Sequence, residues 1–282
     1  AERRSWQPTT TRAAMPASAS LPQAPSPTWS GNQILTTPKR STPTPPGRSR
    51  SRRAGARRAR GVDPDRVRGV RQAGRFLRQG GRLAEEALTK KIGFNIAGGT
   101  HHAFADRGEG FCLLNDQVIA ANDLLTNYGI QKILIIDLDV HQGNGTAAML
   151  QDEDRVFTFS MHGRNNYPLQ KERSNLDVEL EDGIQDKVYL HLLSEHLDAI
   201  LFDFTPDFVF YQCGVDILAS DKLGKLGISL KGCQERDRIV FDTVRQLNVP
   251  VVCTMGGGYS PQIKDIVEAH AQTFRVGMHT IL

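Results

Sequence analysis

Long apolar runs are missing from this sequence, and none approaches the roughly 18 residues that a bilayer-spanning helix needs. The first residues also lack the apolar core of a secretory leader. The expectation is a soluble cytoplasmic protein without membrane partners, and the arginine runs raise the nucleus as the alternative location. Cysteine is scarce as well. The four present, Cys112, Cys213, Cys233 and Cys253, include no CxxC pair. That excludes a disulfide framework and a thiolate zinc finger, and suits reduced thiols.

Acidic residues are few in residues 1–90, which hold 5 against 19 basic ones, whereas residues 91–282 hold 26 against 16. The net charge of +4 therefore conceals two unlike parts. Apolar residues are sparse in stretches such as STPTPPGRSRSRRAGARRAR, too sparse to bury a core. Residues 1–65 read as a disordered Arg/Pro/Ser-rich segment, and residues 66–282 as the folded domain. Without interleaved aromatics, heptads or metal fingers, that segment offers nucleic acid phosphate contacts alone. Nucleic acid is a partner only through it.

From Leu83 onward, short apolar strands alternate with amphipathic segments. This is the pattern of a parallel sheet covered by helices. The pattern predicts strands over 93–97, 133–137, 156–160, 208–212 and 249–255. It predicts helices over 116–128, 187–204, 234–247 and 262–274, after a helix end at LAEEALTKK. The fold class is α/β, three layers with a mainly parallel central sheet. Each strand is followed at once by reactive residues, in GGTHH, DLDVHQGNG, SMHG, CGVD and GGGY. Parallel strands bring such segments to one sheet edge.

In IIDLDVHQGNG, Asp137, Asp139 and His141 are spaced by two, so they share a face where the chain is extended. Two carboxylates and an imidazole on one face suit a cation. A catalytic zinc site needs about three nitrogen or oxygen ligands and an open position. Asp139 and His141 can supply two, and Asp216 is the candidate for the third. Taken alone, the aspartate pair also fits a haloacid-dehalogenase-like phosphotransferase. That reading wants a placed lysine and a second acidic pair, and leaves the adjacent histidines unexplained. In the blandest alternative the acids cap helices and the histidines pack internally. His101 and His102 suit amide hydrolysis, which needs a base for water and an acid for the leaving amine. The hydroxyl of Tyr259 can stabilise an oxyanion, and Gly257 and Gly258 let the backbone turn beside the substrate.

Together, GGTHHAFADRGEGFCLLND, ILIIDLDVHQGNG, YQCGVDIL and MGGGYS resemble the histone deacetylase superfamily, which includes acetylpolyamine amidohydrolases. The resemblance runs in order over residues 83–276 and is similar in detail to class IV deacetylases and their bacterial relatives. It implies an arginase/deacetylase-like fold and zinc-dependent hydrolysis of the amide of an acyl-lysine protein or peptide, or of an acetylated small amine. By the same resemblance, Asp139, His141 and Asp216 bind zinc. His102 is the general base and acid with His101 as its electrostatic partner, and Tyr259 holds the oxyanion. Asp137 orients His101 and shares a monovalent-cation site, for potassium, with Ser160 and the carbonyl of Met161. Gly110 and Phe111 line the tunnel for the acyl-lysine stem. Asn144 stands where class I enzymes have an aspartate behind the second histidine, and an amide stabilises imidazolium less than a carboxylate does.

The family carries further folded residues before its double-histidine strand, and here the arginine-rich segment takes their place. Part of the fold therefore reads as missing or replaced. An active zinc amidohydrolase is the first expectation, with an acetylpolyamine amidohydrolase or a truncated, inactive binding module as alternatives. Cys112 and Cys213 read as small buried residues rather than nucleophiles. His191 and His196 read as surface or packing residues, His162 as site support or packing, and NNYPL as a loop at the pocket mouth.

Overall fold

The computed structural model describes residues 81–282. The expected disordered segment 1–65 and the start of the domain, 66–80, lie outside the described residues. A helix over residues 81–90 (α1) leads into β1 (Ile92–Asn95), α2 (Asp116–Asn127), β2 (Ile133–Asp137), α3 (Asn144–Leu150), β3 (Val156–Gly163) and β4 (Leu176–Leu180). Then come α4 (Asp186–Asp203), β5 (Phe208–Gln212), α5 (Leu230–Leu247), β6 (Val251–Thr254) and α6 (Ile263–Ile281). The six strands form one sheet in the order β1-β6-β5-β2-β3-β4, and every pairing is parallel.

Strands covered by helices on both faces have no polar side, so they read as continuous apolar runs. ILIID in β2 and FVFYQ in β5 are such runs, with every residue buried. Alternate side chains of β2 enter two cores. Leu134 and Ile136 pack with residues of α4, α5 and α6, while Ile133 and Ile135 pack with residues of α1, α2 and α3. This alternation makes the three layers.

The helices begin where their caps dictate. Asn115 caps α2 by accepting from the Val118 amide, and Ser229 caps α5 by accepting from the Gly232 amide. Helix α5 therefore starts four residues before the predicted 234. Helix α6 runs past the predicted 274 through Gly277, where a Cβ would lie 2.8 Å from the Phe241 ring and 2.9 Å from that of Phe94. That glycine permits close packing and does not stop the helix. Two elements escaped prediction. Strand β4, LDVEL, lies at the sheet edge and carries charge on its exposed side, which protects an edge from pairing. Helix α3 starts at Asn144 with Gly143 at its N-cap, in a segment for which no helix was predicted. None of the described helices is long and apolar enough to cross a membrane.

Candidate active site

From β2 the chain runs to β3 and β4 on one side, while β5 and β6 lie on the other. The switch point is therefore between β2 and β5, and open parallel sheets bind ligands beyond the strand ends at such a point. Asp139 and His141 follow β2 and Asp216 follows β5, on adjacent strands paired in register from Ile133 with Phe208 to Asp137 with Gln212.

The strand ends at Asp137, as predicted, and the chain bends beyond it. The facing still alternates, because Leu138 and Val140 are wholly buried in the core. His141 Nδ1 lies 3.1 Å from Asp139 Oδ1 and 3.1 Å from Asp216 Oδ2. Backbone amides fix the carboxylates. Asp139 accepts from the amides of His141 at 3.0 Å and Gly257 at 2.8 Å, and Asp216 accepts from that of Val140 at 3.0 Å.

These residues fit a divalent cation. One donor atom from each of Asp139, His141 and Asp216 lies within 4.8 Å of the others. The set of one nitrogen and two carboxylate oxygens is of the kind zinc accepts, at the count that leaves a position open. Both carboxylates are buried, and among the described residues their only ion-pair partners are the imidazoles of His101 and His141. Burial and the neighbouring charge of Asp139 push Asp216 up to about 7. The space is kept by Gly257, where a Cβ would lie 2.0 Å from Asp216 Oδ2 and 3.2 Å from Asp139 Oδ2. Gly257→Ala is expected to weaken zinc binding by more than about tenfold, as displaced ligands do. Competition with a chelator measures this, and unchanged affinity would contradict the placement.

The histidine pair stands beside this cluster, with ring centroids 4.1 Å apart. His101 Nδ1 lies 2.7 Å from Asp137 Oδ2 and His102 Nδ1 lies 2.7 Å from Asn144 Oδ1. Burial opposes charge on His101, but Asp137, with Asp139 and Asp216 beyond it, outweighs burial and raises it to about 9. Burial, and then the charge of His101, lower His102 to about 3. The two histidines are thus pushed in opposite directions, His101 toward the charged form and His102 toward the neutral one. The hydrogen bond with Asn144 opposes that lowering without overcoming it.

A cleft of about 560 Å³ exposes these groups. Gly110, Phe111, Tyr167, Gly257 and Tyr259 line it with both histidines and the three ligand candidates. Glu109 and Cys112 close a two-residue turn by exchanging backbone hydrogen bonds of 2.9 and 2.7 Å. Gly110 (φ 52°) and Phe111 (φ 65°) both have the positive φ that a type I′ turn requires. Phe111 is held 95% exposed at the cleft. Tyr259 is partly exposed, and burial, then Asp139 and Asp216, push its hydroxyl up to about 12. It remains a donor.

Asp137 and Ser160 are direct partners across β2 and β3. Asp137 is committed to His101 and to the amide of Asp139, and Ser160 Oγ lies 2.9 Å from His162 Nδ1. The Met161 side chain is in the core, as is Cys213. Gly258 lies over Val215 and Ile266, outside the lining of the cleft. Burial pushes Cys112 up to about 11 and Cys213 higher, so neither thiol is a nucleophile. His191 is exposed, and His196 packs against Phe159.

Sequence reading assigned no role to Asp116, Asn115 and Glu109, and placed Tyr167 only in a loop at the pocket mouth. Asp116 accepts from the amides of Gly99 and Thr100, from Thr100 Oγ1 and from Asn95 Nδ2. Asn115 Nδ2 donates to the carbonyls of His101 and Ala103. Together they tie the double-histidine loop to the start of α2. Glu109 and Tyr167 form the wall behind Asn144. The motif ending LLND held a signal for the first two, since Asn-Asp before a helical run is a capping pattern.

Fold and donor set define an α/β protein with a cation-ready cleft at its switch point. The chain belongs to the histone deacetylase family, whose domain matches residues 67–274. It is 47% identical over 192 residues to an uncharacterised protein of Picosynechococcus, covering 68% of this chain and 64% of that protein. It is 38% identical over 185 residues to histone deacetylase 2 of Arabidopsis thaliana, covering 64% and 48%. The chain thus spans from about half to just under two thirds of the length of these relatives. The crystal structure of a histone deacetylase homologue from Aquifex aeolicus aligns at TM-score 0.63 and 27% identity, covering 72% of this chain and 56% of that one. An acetylpolyamine aminohydrolase from Burkholderia pseudomallei aligns at TM-score 0.63 and 22% identity over 73% and 62%. That likeness concerns the fold alone.

Proposed function

We propose that this chain hydrolyses the amide of an acyl-lysine, with Asp139, His141 and Asp216 holding zinc. One observation carries the reading. Two adjacent histidines, one held by Asp137 and the other by Asn144, stand together beside an Asp-His-Asp donor set at one cleft. Zinc held there would supply Lewis acidity toward the substrate carbonyl and lower the pKa of water.

The chain's own groups account for the proton transfers. Neutral His102 takes a proton from the attacking water, because Nδ1 is occupied by Asn144 and Nε2 is its free basic atom. His101, kept cationic by Asp137, stabilises negative charge that develops nearby. Tyr259 lines the same cleft, and its hydroxyl, a donor at neutral pH, donates to the oxyanion. As the C–N bond breaks, His102 returns its proton to the leaving amine. Phe111 and the Tyr167 ring offer apolar walls to a methylene stem.

Acetate release from an acetyl-lysine peptide and from an acetylated polyamine, compared at equal concentration, tests the substrate class. The peptide is expected to be turned over at least about tenfold faster, a gap of roughly 1.4 kcal/mol in barrier. Faster turnover of the polyamine would replace acyl-lysine as the substrate. Release from neither would leave the family fold without this activity.

A further inference from the structure

Behind Asn144 stands a carboxylate with no part in the steps above. Asn144 Nδ2 lies 3.2 Å from Glu109 Oε1, which also accepts from the Tyr167 hydroxyl at 2.5 Å. Arg107 Nε donates to Glu109 Oε2 at 3.1 Å. The hydrogen bond from Tyr167, helped by Arg107 and Asn144 against some burial, holds Glu109 below the usual carboxylate range. Its backbone is fixed by the two-way bond to Cys112, and the Tyr167 ring meets that of His102 edge-on, with centroids 5.0 Å apart.

An ionised carboxylate only accepts hydrogen bonds, whereas an amide has a donating and an accepting end. Glu109 therefore forces the NH₂ of Asn144 toward itself and the oxygen toward His102. An oxygen 2.7 Å from Nδ1 requires the proton to be on Nδ1. We propose that Glu109 is a positioning residue which, through the Asn144 amide, fixes His102 as the Nδ1–H tautomer and leaves Nε2 free to take a proton. Its kinetic consequence rests on the hydrolase reading, but the tautomer itself does not. Asn144 alone does not select a tautomer, because its amide can turn over and accept or donate at the same place.

The test uses zinc-loaded full chain with ¹⁵N-labelled histidine. Glu109→Gln keeps size and removes the acceptor-only constraint. The His102 ring signals are expected to change from a single Nδ1–H pattern to a tautomer mixture. On an acetyl-lysine peptide, kcat is expected to fall about tenfold with KM within about twofold, in the range for partners one step behind the reacting group. Adding Asn144→Asp to Glu109→Gln restores the polarity, since the introduced carboxylate accepts both from His102 Nδ1–H and from the NH₂ of the introduced side-chain amide. The double variant is expected to recover the Nδ1–H signal; its kcat is not the readout, because a carboxylate behind His102 also favours the imidazolium. An unchanged tautomer in Glu109→Gln, or no recovery in the double variant, overturns the proposal. The ring signals need no turnover. A wild-type chain that hydrolyses nothing, with the tautomer change still seen in Glu109→Gln, would overturn the deacylase reading and leave this one standing.

Discussion

Replacing Asp139 with alanine is expected to strip the chain of zinc and lower kcat/KM for acyl-lysine hydrolysis by more than about a hundredfold. That exceeds the loss of about 10- to 100-fold typical of groups one shell further from a metal. Asp139 meets His141 Nδ1 at 3.1 Å, accepts from Gly257 at 2.8 Å and lies 4.0 Å from His101 Nε2. Its loss leaves one carboxylate and one imidazole, fewer than the three protein ligands of a catalytic zinc site. Metal content and kcat/KM are measured on one sample. Asp139→Asn keeps an acceptor for the Gly257 amide and separates ligand loss from misfolding. Full zinc binding at wild-type affinity by both variants would remove Asp139 from the donor set.

Replacing His102 with alanine is expected to lower kcat by about 10²- to 10⁴-fold, the usual contribution of general acid–base catalysis, while zinc affinity stays within about threefold. The two effects separate because no atom of His102 belongs to the donor group of Asp139, His141 and Asp216. The ring touches the cluster only edge-on, with its centroid 6.1 Å from that of His141. Burial and the charge of His101 push His102 toward the neutral form, the form that the proposed base needs. Single-turnover kinetics with zinc measured in parallel check this. A variant that lost zinc along with activity would make His102 a structural support of the metal instead of the base.

The central strands were legible because burial on both faces leaves no ambiguity. Residues 133–137 and 208–212 are apolar or end in a single polar residue, and they form β2 and β5 with those bounds. Strand β4 was not legible, since Asp177 and Glu179 alternate with apolar residues at an edge and resemble a polar loop. Helix α3 was hidden by Gly143, Asn144 and Gly145, which locally favour a turn, although Asn144, Gly145 and Thr146 are buried in the fold. Reactive groups were easier to read than their supports. Asp139, His141 and Asp216 stand out as metal-type side chains just after apolar strands. Asp116 and Glu109 act through partners that are distant in sequence, Asp116 on Gly99 and Thr100 and Glu109 on Asn144 and Tyr167. No periodicity marks such pairs, because the sheet topology alone brings them together.

Zinc titration into metal-free full chain, with acetate release from an acetyl-lysine peptide followed at each addition, tests the proposed deacylase most directly. Activity is expected to rise linearly, to break at one zinc per chain and to vanish on adding a chelator. A chain that binds one zinc at the Asp139, His141 and Asp216 site and releases acetate from neither peptide nor polyamine would contradict it.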